Sequence, residues 1–401
     1  MNELLWSICI LCLTTLGLMF LLKRLNQPYM IAYIIAGVVL GPHVSGVFTN
    51  PEEIETIGEA GILLLMFFLG MEINVPDNRT LLIKPIIAQS MKIILSFICA
   101  ALIGNIIGLS LNSMVLIAVL FIFNSTAIVS EVLSKHNTLK TPFGTTILNI
   151  LIFQDLLFAP VLTVLKAWNK EDFKLIHIVF PVMVCFAVFF ILKRIRNIQE
   201  IKVPKLFRAV EKDHDLQVFF GLFICLGFGL IAETGGLSST FGSFIAGIIV
   251  GRVKLFSWLE HSLIPFKVFF VTLFFVSIGL RLDIAYLLSN FQIILIGTFF
   301  VLLSNSVMSA IIFRLLKSDW KESLYGGALL SQTGEFGIMA LSIAYKAKII
   351  EYSLYKAGLG ITCLSILLST IWISVLKSLI EKKKLQKDLN LKQEQKTNMC
   401  Q

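Results

Sequence analysis

The sequence predicts an all-α polytopic membrane protein of about thirteen transmembrane helices, arranged as two inverted repeats with two broken crossover helices. Three observations predict it. The chain is 57% hydrophobic and only 15% charged, against about 25% charged in soluble domains. Apolar stretches long enough to span a bilayer, which takes about 20 residues, follow one another almost from end to end. Short motifs of the first half recur in order in the second half, as internal repeats do.

Taken in order, the predicted spans are 4–22, 28–41, 54–73, 85–109, 114–134, 145–168 and 175–195. After a polar linker come 216–233, 238–251, 265–280, 290–316, 323–346 and 352–380. The first segment has no basic stretch before it, so it reads as a retained span and not a signal peptide. Net charge is +9, but the basic residues sit between spans and in the lysine-rich tail. They are topology signals, and nucleic acid is excluded as a partner. With the tail cytoplasmic, thirteen spans put the N-terminus outside. Most of the chain's 34 basic residues then fall in loops on the inner face, as a cell-membrane protein requires. Of the seven cysteines, all but Cys400 lie in apolar segments, where cysteine acts as a small hydrophobe. No disulfide framework or metal-ligand spacing is present.

The repeat is carried by three matches. Ile35-Ala36-Gly37-Val38-Val39-Leu40-Gly41 returns as Ile245-Ala246-Gly247-Ile248-Ile249-Val250-Gly251. Leu69-Gly70-Met71 is echoed by Ile278-Gly279-Leu280, and Asn124-Ser125-Thr126 by Ser331-Gln332-Thr333. Matched spans lie seven apart, an odd number, so the copies cross the membrane in opposite directions. The repeats cover about 1–170 and 214–380, joined by 175–213. Residues 1–380 make one transmembrane domain, and 381–401 a short polar cytoplasmic tail that lies against anionic lipid.

Chemistry is expected where polar residues interrupt spans. A carboxylate at mid-membrane costs about 2.5–3.5 kcal/mol on insertion scales, so Asp155, preceded by Gln154 and followed by Pro160, marks a site for an ion or proton. Asn124, Ser125 and Thr126 break the fifth span, and Ser331, Gln332, Thr333, Gly334 and Glu335 break the twelfth. Such discontinuous helices present free backbone ends to an ion at the midplane. At about 1.5 Å per residue, Asn124, Asp155 and Gln332 all lie roughly 15 Å into their spans. One carboxylate there can hold a proton or a cation in turn, which suffices for coupled exchange. Hydroxyl, amide and carbonyl oxygens of Thr126, Gln154 and Thr333 would replace a monovalent ion's water shell. A divalent ion would want more carboxylates.

Other ionisable groups have plainer readings. The stem of Lys92 is expected to snorkel to the cytoplasmic surface, with pairing to a core carboxylate as the alternative. Glu59, Glu131 and Glu233 sit in outer turns, Arg281 and Asp283 at an interface, and the five histidines in or near loops. Glu335, directly after the second break, stands equally for a site residue and a structural partner.

These motifs resemble the monovalent cation:proton antiporter-2 family, in particular the membrane domain of Kef-type K⁺/H⁺ antiporters and their Na⁺/H⁺ relatives. The resemblance rests on Ala36-Gly37 with Leu40-Gly41-Pro42, Gly61-Ile62-Leu63-Leu64-Leu65-Met66-Phe67 with Gly70-Met71-Glu72, Asn124-Ser125-Thr126-Ala127-Ile128, Phe153-Gln154-Asp155 with Pro160, and Gln332-Thr333-Gly334-Glu335-Phe336. It implies a mobile core domain, a dimerisation domain and hence a homodimer. It also implies that Asp155 binds cation (K⁺ or Na⁺) and H⁺ alternately, with no cofactor, and the Gln-Asp pair leans toward potassium. A separate regulatory subunit is a further expectation. Many relatives carry a lysine in the eleventh span where this chain has Asn305, which leaves Lys92 as a substitute charge partner. Kef-type proteins continue into a nucleotide-binding domain, whereas this tail carries no G-x-G-x-x-G. Beside antiport stand a potassium efflux channel and a transporter-like sensor. An enzyme is excluded by the lack of a nucleophile, paired-aspartate or metal constellation at the midplane.

Overall fold

Helices dominate because a chain inside a bilayer must satisfy its backbone within each segment. A computed structural model describes residues 2–25, 27, 29–48, 51–72, 79–139, 141–167, 213–234, 239–251 and 257–399, with 179, 183 and 210 standing alone. The seventh predicted span and the basic linker after it lie almost wholly outside the described residues. Among the described residues the helices are α1 (Asn2–Arg24), α2 (Tyr29–Leu40), α3 (Pro51–Glu72), α4 (Arg79–Ile107), α5 (Leu111–Ile122), α6 (Thr126–Lys135) and α7 (Pro142–Ala167). They continue with α8 (His214–Thr234), α9 (Ser239–Gly251), α10 (Ser257–Leu280), α11 (Ile284–Ser289), α12 (Phe291–Leu315), α13 (Trp320–Leu329), α14 (Glu335–Lys346) and α15 (Tyr352–Met399). Seven of these helices are long and apolar enough to cross a membrane, and four apolar ones are shorter.

The fifth predicted span is α5 and α6 with a break between them, and the twelfth is α13 and α14. Two helices start well before the predicted spans. Pro85 and Pro265 were natural helix starts, since proline suits the first turn. Instead α4 begins at Arg79 and α10 at Ser257, with each proline inside the helix. In α10 the buried Leu259 and Leu263 hold the turns before Pro265 in an apolar core with Leu64, Phe67, Cys225 and Val250, so packing outweighs the lost hydrogen bond.

The chain divides into two compact units. One comprises Met1–Pro76, Asp155–Asn290 and Ala340–Ala357; the other comprises Asp77–Gln154, Phe291–Met339 and Gly358–Gln401. The first unit is built on close backbone approach at small residues, the way membrane helices pack. A Cβ at Gly37 of α2 would lie 2.1 Å from the Val276 carbonyl oxygen and 2.8 Å from Gly279 Cα of α10. A Cβ at Gly247 of α9 would lie 1.9 Å from the Phe67 carbonyl oxygen and 3.1 Å from Gly70 Cα of α3. The two pairings are one contact made twice: Gly37 and Gly247 are repeat equivalents, and so are Gly70 and Gly279.

Candidate functional site

The second unit is built around its two breaks. Helix α5 stops at Ile122 because Phe123 turns to extended backbone (φ −103°, ψ 119°). The Ser125 hydroxyl then accepts from the Ile128 N–H at 3.5 Å, opening α6. Across from it, α13 ends at Leu329 and α14 begins at Glu335. The two breaks cross at backbone distance. The Gly334 N–H donates to the Phe123 carbonyl at 3.1 Å, and a Cβ at Gly334 would lie 2.7 Å from Asn124 C and Ser125 N. Only glycine fits there. Each break thus sets one helix C-terminus and one N-terminus at the crossing, the arrangement that presents partial charges of both signs to an ion.

Asn124 ties the crossing together. Its Nδ2 donates to the Gln332 carbonyl at 2.7 Å and the Leu330 carbonyl at 3.1 Å. The Thr333 hydroxyl donates to the Leu120 carbonyl at 3.1 Å, and the Ser331 hydroxyl to Gln332 Oε1 at 3.3 Å. Asn124, Ser125, Ser331, Gln332 and Thr333 are all buried, and Thr126, the first residue of α6, is half-buried. Gln332 Nε2 is buried without a partner. Glu335 opens α14, but its side chain lies outside the described residues.

Gln154 joins this crossing from α7. Its Oε1 accepts the Asn124 N–H at 3.0 Å, while its Nε2 donates to Asn124 Oδ1 at 3.2 Å and to Gln89 Oε1 at 3.1 Å. The amide therefore satisfies a backbone N–H that the break leaves without a helical partner. One lone pair of Oε1 remains for an ion. Asp155, the next residue of α7, is 3% exposed.

Lys92 is the plainest correction to the sequence reading. It is 3% exposed and does not snorkel: Nζ donates to Asn305 Oδ1 at 2.7 Å and to Ser309 Oγ at 3.1 Å, both on α12. Starting α4 at Arg79 instead of Pro85 deepens Lys92 from about 10 Å to about 20 Å along the helix, beyond easy reach of the surface. Among the described residues its partners are neutral oxygens and not a carboxylate. The ammonium thus rests on the side chain of Asn305, whose own Nδ2 is unpartnered.

Sequence reasoning missed Gln89, an uncharged residue that belongs to no motif. Its one available signal is helical spacing: Gln89, Lys92 and Ser96 form a buried polar face on an otherwise apolar α4. Glu233, His43, His136 and His214 are exposed, and Asp283 forms an ion pair with Lys356. The side chains of Glu59, Glu131, His177 and His261 lie outside the described residues.

Comparison with known proteins gives one consistent likeness. The family model described as "Sodium/hydrogen exchanger, transmembrane" matches residues 10–378. The chain is 29% identical to the iron transporter MagA of Paramagnetospirillum magneticum, over 89% of this chain and 82% of that one. It is 26% identical to a glutathione-regulated potassium-efflux system protein of Haemophilus influenzae, over 95% of this chain but 62% of that longer protein. It is 27% identical to the probable Na(+)/H(+) antiporter GerT of Bacillus cereus, over 83% and 88%. Among solved structures, the sodium proton antiporter MjNhaP1 of Methanocaldococcus jannaschii at pH 8 superposes with a TM-score of 0.67 at 14% identity, covering 95% of this chain and 99% of that one.

Proposed function

The chain belongs to the sodium/hydrogen exchanger transmembrane family, a family of multi-pass monovalent cation:proton antiporters and not of enzymes, and from that premise we propose that it exchanges K⁺ or Na⁺ for H⁺ at Asp155. The observation that carries the reading is a carboxylate with 3% exposure placed directly after a glutamine that is clamped to the broken-helix crossing. Asp155 holds a proton in one half of the cycle and a cation in the other, so the two cannot cross together. Asn124, Ser125, Thr126, Gln154, Gln332 and Thr333 supply neutral oxygens and partial charges, and Glu335 a further acid at a helix N-terminus. Lys92, resting on Asn305, is the charge partner for the exchange. The Gln154-Asp155 pair favours potassium as the cargo.

The remaining expectations belong to the same proposal. The N-terminus faces outward and the C-terminus the cytoplasm, because the basic loops then fall inside. The transporter works as a homodimer by alternating access, and a regulatory subunit acts on it in trans.

The test uses purified protein in liposomes with a trapped pH dye and an imposed proton gradient. K⁺, Na⁺, Li⁺ and Rb⁺ are added in turn, with Fe(II) included because one relative is named for iron. K⁺ is expected to dissipate the gradient in the wild type and not in Asp155→Asn. If no cation moves protons while K⁺ still runs down its own gradient, the protein is a channel. A silent protein with neither flux would be a sensor.

A further inference from the structure

Gln89 lies on α4, about 15 Å along the helix from Arg79, and is wholly buried. A primary amide at that depth costs free energy that an apolar side chain of the same length would not. The cost is only partly offset. Gln89 Oε1 accepts from Gln154 Nε2 at 3.1 Å, but Gln89 Nε2 has no partner. A residue retained for packing alone would leave no such donor.

The bond that Gln89 does make fixes orientation. Gln154 can present either its oxygen or its nitrogen to the break, since the two ends of an amide have the same shape. The Asn124 N–H requires the oxygen. By accepting a hydrogen bond from the nitrogen end, Gln89 holds the amide that way round. A chain of three amides then runs without interruption from α4 through Gln154 to Asn124, and from Asn124 to the carbonyls of Leu330 and Gln332. Gln89 connects α4 to this chain.

We propose that Gln89 is a positioning residue for exchange: it sets the orientation of the Gln154 amide, and through it the cation affinity of the crossing. The proposal rests on the exchange reading given above. It gives α4 a second part in exchange beside that of Lys92, carried by a neutral amide.

A double-mutant cycle tests it, with the half-saturating K⁺ concentration for gradient dissipation as the readout. Gln89→Leu is expected to raise that concentration roughly five- to tenfold, the worth of one buried neutral hydrogen bond, while maximal rate changes less than twofold. Gln154→Leu raises it at least as far. Because Gln89 acts only through Gln154, adding Gln89→Leu to Gln154→Leu is expected to change nothing further, the non-additivity of residues in one network. Losses that add in the double variant would overturn the proposal, as would an unchanged Gln89→Leu. If Gln89→Leu does not reach the membrane folded, Gln89→Met, whose thioether is only a weak acceptor, carries the same comparison. Exchange that persists in Asp155→Asn overturns the underlying reading instead, so the two failures are distinguishable.

Discussion

The two units differ in how their helices meet. In the unit holding α2, α3, α9 and α10, helices meet backbone to backbone at Gly37 with Gly279 and Gly70 with Gly247, over an apolar core. In the unit holding α4, α5, α12 and α13, the buried residues include Gln89, Lys92, Asn124, Gln332 and Asn305, joined by hydrogen bonds that leave several donors unmet. Close packing stabilises helices where lipid offers no hydrophobic drive. Buried amides and an ammonium do the reverse unless every group is paired. The helix contacts of the first unit are therefore set by shape, and the second keeps an energetic burden that the exchange proposed above would account for.

Substitutions should separate the two. The largest effect is expected for Gly247→Leu, whose first side-chain atom would stand 1.9 Å from the Phe67 carbonyl oxygen. Detergent-extracted protein should be lost or aggregated on gel filtration, since the backbone of α3 cannot yield to a side chain. Gly334→Ala comes next. It pushes against the backbone of Asn124 and Ser125, within the crossing, and is expected to cut exchange more than tenfold while a monodisperse protein remains. If Gly334→Ala instead unfolds the protein and Gly247→Leu leaves it folded, the division of labour is reversed.

Much of this contrast was legible in the sequence, and the parts that were not share a cause. The breaks at Asn124-Ser125-Thr126 and Ser331-Gln332-Thr333-Gly334 announced themselves as polar interruptions of apolar runs. Repeated glycines announced the matching of α2 with α9 and of α3 with α10. Hidden from the sequence was what each element meets. Gly37 finds Gly279 and not its repeat equivalent Gly247, and Lys92 finds Asn305 across more than two hundred residues. Such pairs leave no periodic trace, because neither partner's neighbours change. Pro85 and Pro265 misled for a related reason: local geometry makes proline a good first residue, while packing further along the chain extends α4 and α10 past it.

Lys92→Met asks a finer question of the polar unit. A buried ammonium with neutral acceptors is costly to hold, so its removal is expected to leave the melting temperature unchanged or raise it by a few degrees. The pH midpoint of exchange should nonetheless move by about half a unit or more, as removal of the charge partner proposed above requires. A midpoint that stays put removes Lys92 from the exchange and leaves it a structural partner of Asn305.

The smallest effect is expected at a polar feature of the apolar unit, outside its membrane helices. Asp283 caps α11 by accepting the Tyr286 N–H at 3.0 Å, and its Oδ2 accepts from Lys356 Nζ at 3.1 Å. Lys356 also lies 4.3 Å from the Tyr286 ring and 4.7 Å from that of Tyr352, tying α11 to the first turn of α15. The Tyr286 N–H above all, and then the Lys356 ammonium, hold the Asp283 carboxyl below its ordinary range. A carboxylate depressed in the folded state contributes its full stability above the unfolded value of about 3.9. That contribution is lost as pH falls through the lower folded value. Asp283→Asn keeps an oxygen for the Tyr286 N–H and removes only the charge. Because surface pairs are worth at most about 1 kcal/mol, the melting temperature at pH 7 should fall by only about 1–2 °C. The difference from wild type should close as both are acidified below the ordinary aspartate range, because the wild-type carboxyl then loses its charge as well. A gap that survives acidification would place the stabilisation in the helix cap and not in the ion pair, and would make this corner of the apolar unit as dependent on amide geometry as the crossing is.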